Sequence, residues 1–135
     1  MLVEAEGYIL RIATEKWVDQ VFGMAIYYTG LRRRWKPGQT IVFLHKTSVG
    51  DSIVGYGVIG RISEKDELPE EEQRECEKHG WKKAIEFKYV KPVKPLPIKE
   101  TFLKNSKLRG RYFHGLKLDE EQLNSIISQA ERLQR

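Results

Sequence analysis

The chain has a single cysteine, Cys76, among its 135 residues, which excludes a disulfide framework and any zinc site built on cysteine pairs. Histidine is sparse too, with three residues. His45, His79 and His114 are scattered, and Cys76 with His79 at i, i+3 lacks a third or fourth ligand nearby in sequence. No metal and no cofactor are therefore expected. Apolar runs are short as well, and none approaches the roughly 18–20 residues that a helix needs to cross a bilayer. Glu4 and Glu6, rather than basic residues before an apolar stretch, stand near the start, so no secretory signal is read there. A reducing, cytoplasmic compartment is the expectation. No Ser/His/Asp or Cys/His grouping can be argued from the spacing either.

What is present is charge on a folding chain. Hydrophobic residues make up 40% and charged residues 32%, which suits one soluble folded domain over 1–135 rather than a disordered segment. The net charge of +5 is unevenly spread. Residues 64–80 carry 3 basic and 8 acidic side chains, whereas residues 81–117 carry 11 basic and 2 acidic ones. Such segregation favours a polyanionic partner, although a charge run also serves simply as a solvated face.

Periodicity and punctuation give the elements. Gly7–Ile12, Met24–Tyr28, Thr40–His45, Ser52–Ile62 and Lys83–Val90 read as strands, the last with Ala84, Glu86 and Lys88 opposite Ile85, Phe87 and Tyr89. Thr14 is placed to cap a helix whose face holds Trp17, Val18, Val21 and Phe22, with Gly23 as its end. A Glu-rich surface helix starts after Pro69 and stops at Gly80. Pro92, Pro95 and Pro97 read as an extended connection, and 98–103 as a helical turn. Lys104–Leu116 is a basic loop or short strand. Asp119 with Gln122 then forms a capping box for a last helix carrying Leu123, Ile126, Ile127, Ala130 and Leu133 on one face. Five or six strands with helices at the start, middle and end imply an α+β domain on a mixed or closed sheet.

Gly55-Tyr-Gly-Val-Ile-Gly60 matches G-x-G-x-x-G in form only. A dinucleotide site needs those glycines between a strand and a helix start, and here they lie inside a strand, which suggests a sharp bend, as barrels require, or a close backbone approach to a ligand. The basic clusters are more informative. Arg32, Arg33, Arg34 and Lys36 surround Trp35, pairing phosphate-binding forks with a stacking surface, unless Trp35 only packs on the body. Arg109 and Arg111 stand beside Tyr112 and Phe113, a mixture that suits an unstacked nucleotide or, alternatively, a core strand with charged outward positions. Trp17 and Phe22 are either core or the wall of a pocket.

The order of these pieces resembles the EVE domain, a branch of the PUA-like group that also holds the YTH and ASCH domains. The likeness rests on Glu15-Lys-Trp17, Val21-Phe-Gly23, Trp35-Lys-Pro-Gly-Gln-Thr-Ile-Val-Phe43, Ser52-Ile-Val-Gly-Tyr-Gly-Val58, Ile85–Val93 and Leu108–Phe113. Phe22 stands where the family tends to have tryptophan, and Gln39 where its turn commonly has Asp. The resemblance implies a small PUA-like β-barrel and an aromatic-lined pocket for a modified or extruded base, with basic residues holding the backbone. Carried onto this chain, Trp17, Phe22, Trp35 and Tyr112 would bind the base. Arg32, Arg33, Arg34, Lys36, Arg109 and Arg111 would bind phosphates of RNA or DNA, with RNA slightly ahead. The contrasting reading is a small ASCH-like hydrolase acting on a modified nucleoside, with Lys46, Thr47 and Glu86 as its only nominees and no match to the G-x-K-x-x-E-x-R-like stretch of such enzymes. A protein-interaction module on the acidic helix at 69–79 is a third, with nothing specific behind it.

Overall fold

A computed structural model describes residues 6–108 and 110–134, without the side chain of Arg111. Six strands, β1 (Gly7–Ile12), β2 (Ile26–Thr29), β3 (Thr40–Thr47), β4 (Gly50–Glu64), β5 (Lys83–Pro97) and β6 (Lys117–Leu118), form one sheet in the order β2-β5-β4-β3-β1-β6. Three helices, α1 (Glu15–Met24), α2 (Glu70–His79) and α3 (Glu120–Leu133), occupy the start, middle and end as the sequence predicts. The sheet is mixed, because β1 runs parallel to β3 while the other pairs are antiparallel. It is not closed. Edge strands β2 and β6 do not pair with each other, which corrects the expected barrel. The physical reason is length: the 4 residues of β2 and the 2 of β6 offer too short an edge to zip shut.

The strands are apolar on both faces because both are covered. Ile9, Val42 and Leu44 face α3, which contributes Leu123, Ile126 and Ala130. Tyr8, Leu10, Ile41 and Phe43 point to the opposite side, where α1 supplies Val21 with the half-buried Val18 and Phe22. Alternation along each strand thus builds two cores, one per face.

Two boundaries differ from the sequence reading for identifiable reasons. Helix α1 runs through Gly23 and ends at Ala25, whose φ of 54° gives the left-handed cap that glycine more commonly supplies. That cost is offset by tertiary contact, since the Phe87 N–H donates to the Ala25 carbonyl at 2.9 Å. Strand β5 continues through all three prolines to Pro97. Only its first residues pair with β2 on the outer side, through Lys83–Glu86, so Pro92, Pro95 and Pro97 lie on a free edge where no N–H is required. The basic segment after residue 104 is not a strand but a 3₁₀ turn over Gly110–Phe113 before β6. No helix among the described residues is long and apolar enough to cross a membrane.

The glycine-rich stretch lies wholly within β4. A Cβ at Gly55 would overlap the Phe22 ring and stand 2.6 Å from the Lys91 carbonyl oxygen. At Gly55 the close neighbour is thus the half-buried Phe22 of α1, which seats that helix on the sheet, where the motif suggests a ligand.

Candidate functional site

The Thr14 hydroxyl accepts from the Trp17 N–H at 3.4 Å and starts α1 in register, so Trp17 and Gln20 fall on one face of the helix. Opposite them, α2 ends at Gly80, with φ 74°, and turns the chain so that Trp81 points back at the same space. The turn is tied to β2, because the Lys82 N–H donates to the Thr29 carbonyl at 2.9 Å. Gly30 permits this closeness: a Cβ there would lie 2.5 Å from the Gly80 carbonyl oxygen.

The result is an aromatic cleft. Trp17 meets Trp81 edge-on, with centroids 5.3 Å apart and planes at 82°. Tyr28 of β2 stacks on Trp81 at 5.3 Å and 15°, and His79 stacks on it at 4.3 Å and 21°. An inner hollow of about 250 Å³ reaches Arg11 and Tyr27, and an adjoining outer one of about 340 Å³ opens toward Glu71, Glu72 and Glu75 of α2. Both are walled by Trp17, Gln20, Tyr28 and Trp81. The Tyr28 hydroxyl donates to the Glu72 carboxylate. Burial first, and then that carboxylate, raises the Tyr28 pKa well above the usual phenol range, while burial pushes Tyr27 up to about 12. Both phenols stay neutral hydrogen-bonding groups rather than bases.

Next to the cleft lies a cationic hollow of about 360 Å³, lined by Gly30, Leu31, Arg32, Arg33, Lys82 and Lys83. Its residues follow closely in the chain on the cleft residues Tyr28 and Trp81. The two basic tracts touch here: Arg33 Nε donates to the Gly115 carbonyl at 2.8 Å. Beside that contact, His114 Nδ1 accepts from the Arg11 N–H at 2.9 Å. Arg11 is itself neutralised by Asp51 at 3.2 Å.

Burial and the nearby Arg33 and Arg11 hold the His114 pKa below its ordinary value. The unfolded chain therefore takes up a proton more readily than the folded one as pH falls below about 6.5. Stability is expected to be complete above that pH and to decline as pH drops from there through the folded value. Thermal melts between pH 7.5 and 5 should show this decline, and His114→Gln should flatten it. An unchanged slope in the variant would assign the acid sensitivity elsewhere.

Of the residues singled out from sequence, Trp17 lines the cleft, and Arg32 and Arg33 line the cationic hollow. Trp35 does not join them. At 8% exposure it packs edge-on against Tyr8 at 5.0 Å and donates from its indole to the Leu31 carbonyl at 3.2 Å. Trp35 thus packs on the body, the alternative that its sequence setting leaves open. Phe22 packs against Phe43 at 5.6 Å and lines none of these hollows. Arg34 and Lys36 are exposed, and their loop is pinned by the buried Gln39, which accepts from the Lys36 N–H and donates to the Arg34 carbonyl. Gln39 in place of Asp thus reaches across its own turn. Tyr112 is exposed on the 3₁₀ turn. Arg109 lies outside the described residues, as does the side chain of Arg111.

Tyr28, Trp81, Gln20 and Lys82 escaped sequence reasoning. The aromatic-basic pattern that singles out Trp35-Lys36 recurs at Trp81-Lys82-Lys83, and that signal could have found the second tryptophan. Lys46, Thr47 and Glu86 do not gather. Lys46 pairs in register with Asp51 and Glu86 with Arg61, ten residues apart along β4, on the order of 30 Å. Among the described residues no metal-binding group of three His, Cys, Asp or Glu occurs.

No protein-family model matches the chain, and no curated protein matches it. Solved structures do. An ASCH protein from Zymomonas mobilis superposes with a TM-score of 0.66 at 12% identity, covering 90% of this chain and 94% of that one. The Pho92 YTH domain, solved in complex with m6A, gives 0.61 at 14% identity, covering 94% of this chain and 84% of that one. Both are PUA-like domains, so the fold of this chain is PUA-like.

Proposed function

We propose that this protein binds nucleic acid, RNA ahead of DNA, and takes one unstacked or modified base into the cleft walled by Trp17, Tyr28 and Trp81. Within the PUA-like fold, the order of its motifs favours the EVE branch. One observation carries the reading: an aromatic cleft and a cationic hollow share adjacent backbone, so a base in the first leaves its phosphates beside the second. Arg32 and Lys82 are exposed there and hold the phosphate charge, while Arg33 is fixed by Gly115 and positions it. Arg34, Lys36 and Tyr112 are exposed and serve as further contacts to the strand, and Arg109 and Arg111 keep the phosphate-binding role read from the sequence. The base stays where stacking contributes about 1–3 kcal/mol. That the similar YTH domain of Pho92 was solved with m6A supports a base in this fold.

Binding of short single-stranded RNA and DNA, followed by fluorescence anisotropy across a salt series, tests this. Affinity should fall linearly with salt on logarithmic axes, by about 0.7 per phosphate neutralised on a single strand. Arg32→Ala with Lys82→Ala should flatten that slope by about 1.4. Equal affinity and slope in parent and variant would remove the phosphate assignment.

A further inference from the structure

The cationic hollow and the cleft have opposite electrical character, and the difference bears on which base enters. The outer part of the cleft carries Glu71, Glu72 and Glu75 on one wall, with Trp17, Tyr28 and Trp81 on the others and, among the described residues, Lys16 as its only basic lining residue. Glu72 accepts from Tyr28, and Glu75 faces His79 at 3.5 Å. A wall of carboxylates is unfavourable for phosphate and for the carbonyl-rich edge of a uracil or thymine. It is favourable for N–H donors, and most of all for positive charge.

The aromatic geometry points the same way. Trp17 and Trp81 stand at 82° to one another. Tyr28 and His79 already stack on Trp81, so a planar base is left the face of Trp17, and the negative face of an aromatic ring attracts a cation. The chain already places a cation in this setting: Lys16 Nζ lies 5.1 Å from the centroid of the Trp17 ring. Lys16 is exposed and can swing away.

We infer that the cleft selects a nucleobase carrying a positive charge, an N-alkylated purine cation, over its neutral counterparts. This rests on the base-binding reading above and specifies its ligand class. The phosphodiester then faces Arg32 and Lys82 while the charged edge faces α2, which also orients the nucleotide in the site.

Two isomeric modifications make the test. N1-methyladenosine is a cation at neutral pH, whereas N6-methyladenosine is neutral and has the same number of methyl groups. Five-nucleotide RNAs carrying N1-methyladenosine, N6-methyladenosine or adenosine at the centre are titrated with the intact protein. The N1-methyl RNA is expected to bind about tenfold tighter than the N6-methyl RNA, as a desolvated cation–π contact allows. Glu71→Gln with Glu75→Gln should erase most of that preference, with retained fold checked by circular dichroism. Lys16→Gln should enlarge it, because a competing ammonium is removed. Equal binding of the two isomers, or tighter binding of the neutral one, overturns the charge selection and leaves base binding intact. If none of the RNAs binds, while a trimethyl-lysine peptide does, base binding itself falls and the cleft belongs to a protein ligand.

Discussion

Trp81→Ala is expected to weaken binding of a single-stranded oligonucleotide roughly 5- to 150-fold, the factor equivalent to a base–aromatic stack of about 1–3 kcal/mol, because Trp81 holds the walls that enclose the base. Trp81 touches Trp17, Tyr28 and His79 at once, so its removal opens the cleft as well as deleting a wall. The effect should appear for every base and should persist at high salt, because no phosphate contact is lost. Trp81→Phe keeps a ring in place and should recover much of the affinity. Anisotropy titrations of parent, Ala and Phe variants check this, alongside thermal melts that separate misfolding from lost contact. Parent-like affinity in a folded Ala variant would place the base elsewhere.

Phe43→Ala is expected to destabilise the fold by about 3–5 kcal/mol, a large share of the about 5–15 kcal/mol that holds a typical domain together. Phe43 has no exposed surface, and its ring meets Phe22 at 5.6 Å and Phe87 at 5.4 Å, both edge-on. It is the point where α1 rests on the sheet, so the cavity left behind cannot collapse without moving that helix. Urea unfolding monitored by circular dichroism gives the number, and a loss below about 1 kcal/mol would mean the site relaxes far better than its packing suggests. Trp17 rides on the same helix, and the destabilised variant should also bind nucleic acid less well near its melting temperature.

The elements were legible because each has a local cause. Alternating apolar residues write β1 and β3, and the Asp119–Gln122 capping box writes the start of α3, as its hydrogen bonds confirm at 2.8 and 3.0 Å. Where local rules failed, a distant partner had changed the balance. Ala25 adopts a left-handed cap that Phe87 hydrogen-bonds, and prolines continue β5 because β2 is too short to reach them. The cleft was half legible for the same reason. Trp17 and Trp35 look alike as tryptophans beside lysines, yet one lines a hollow and the other is buried against Tyr8.

Composition, charge segregation and periodicity suffice for an α+β domain with three helices and a cationic tract, since these depend on neighbours within a few residues of each other. Which tryptophan is free, which arginine is already engaged, and whether the sheet closes depend on contacts between residues such as Arg33 and Gly115, 82 positions apart. Side-chain exposure is a property of packing, and no spacing along the chain encodes it on its own.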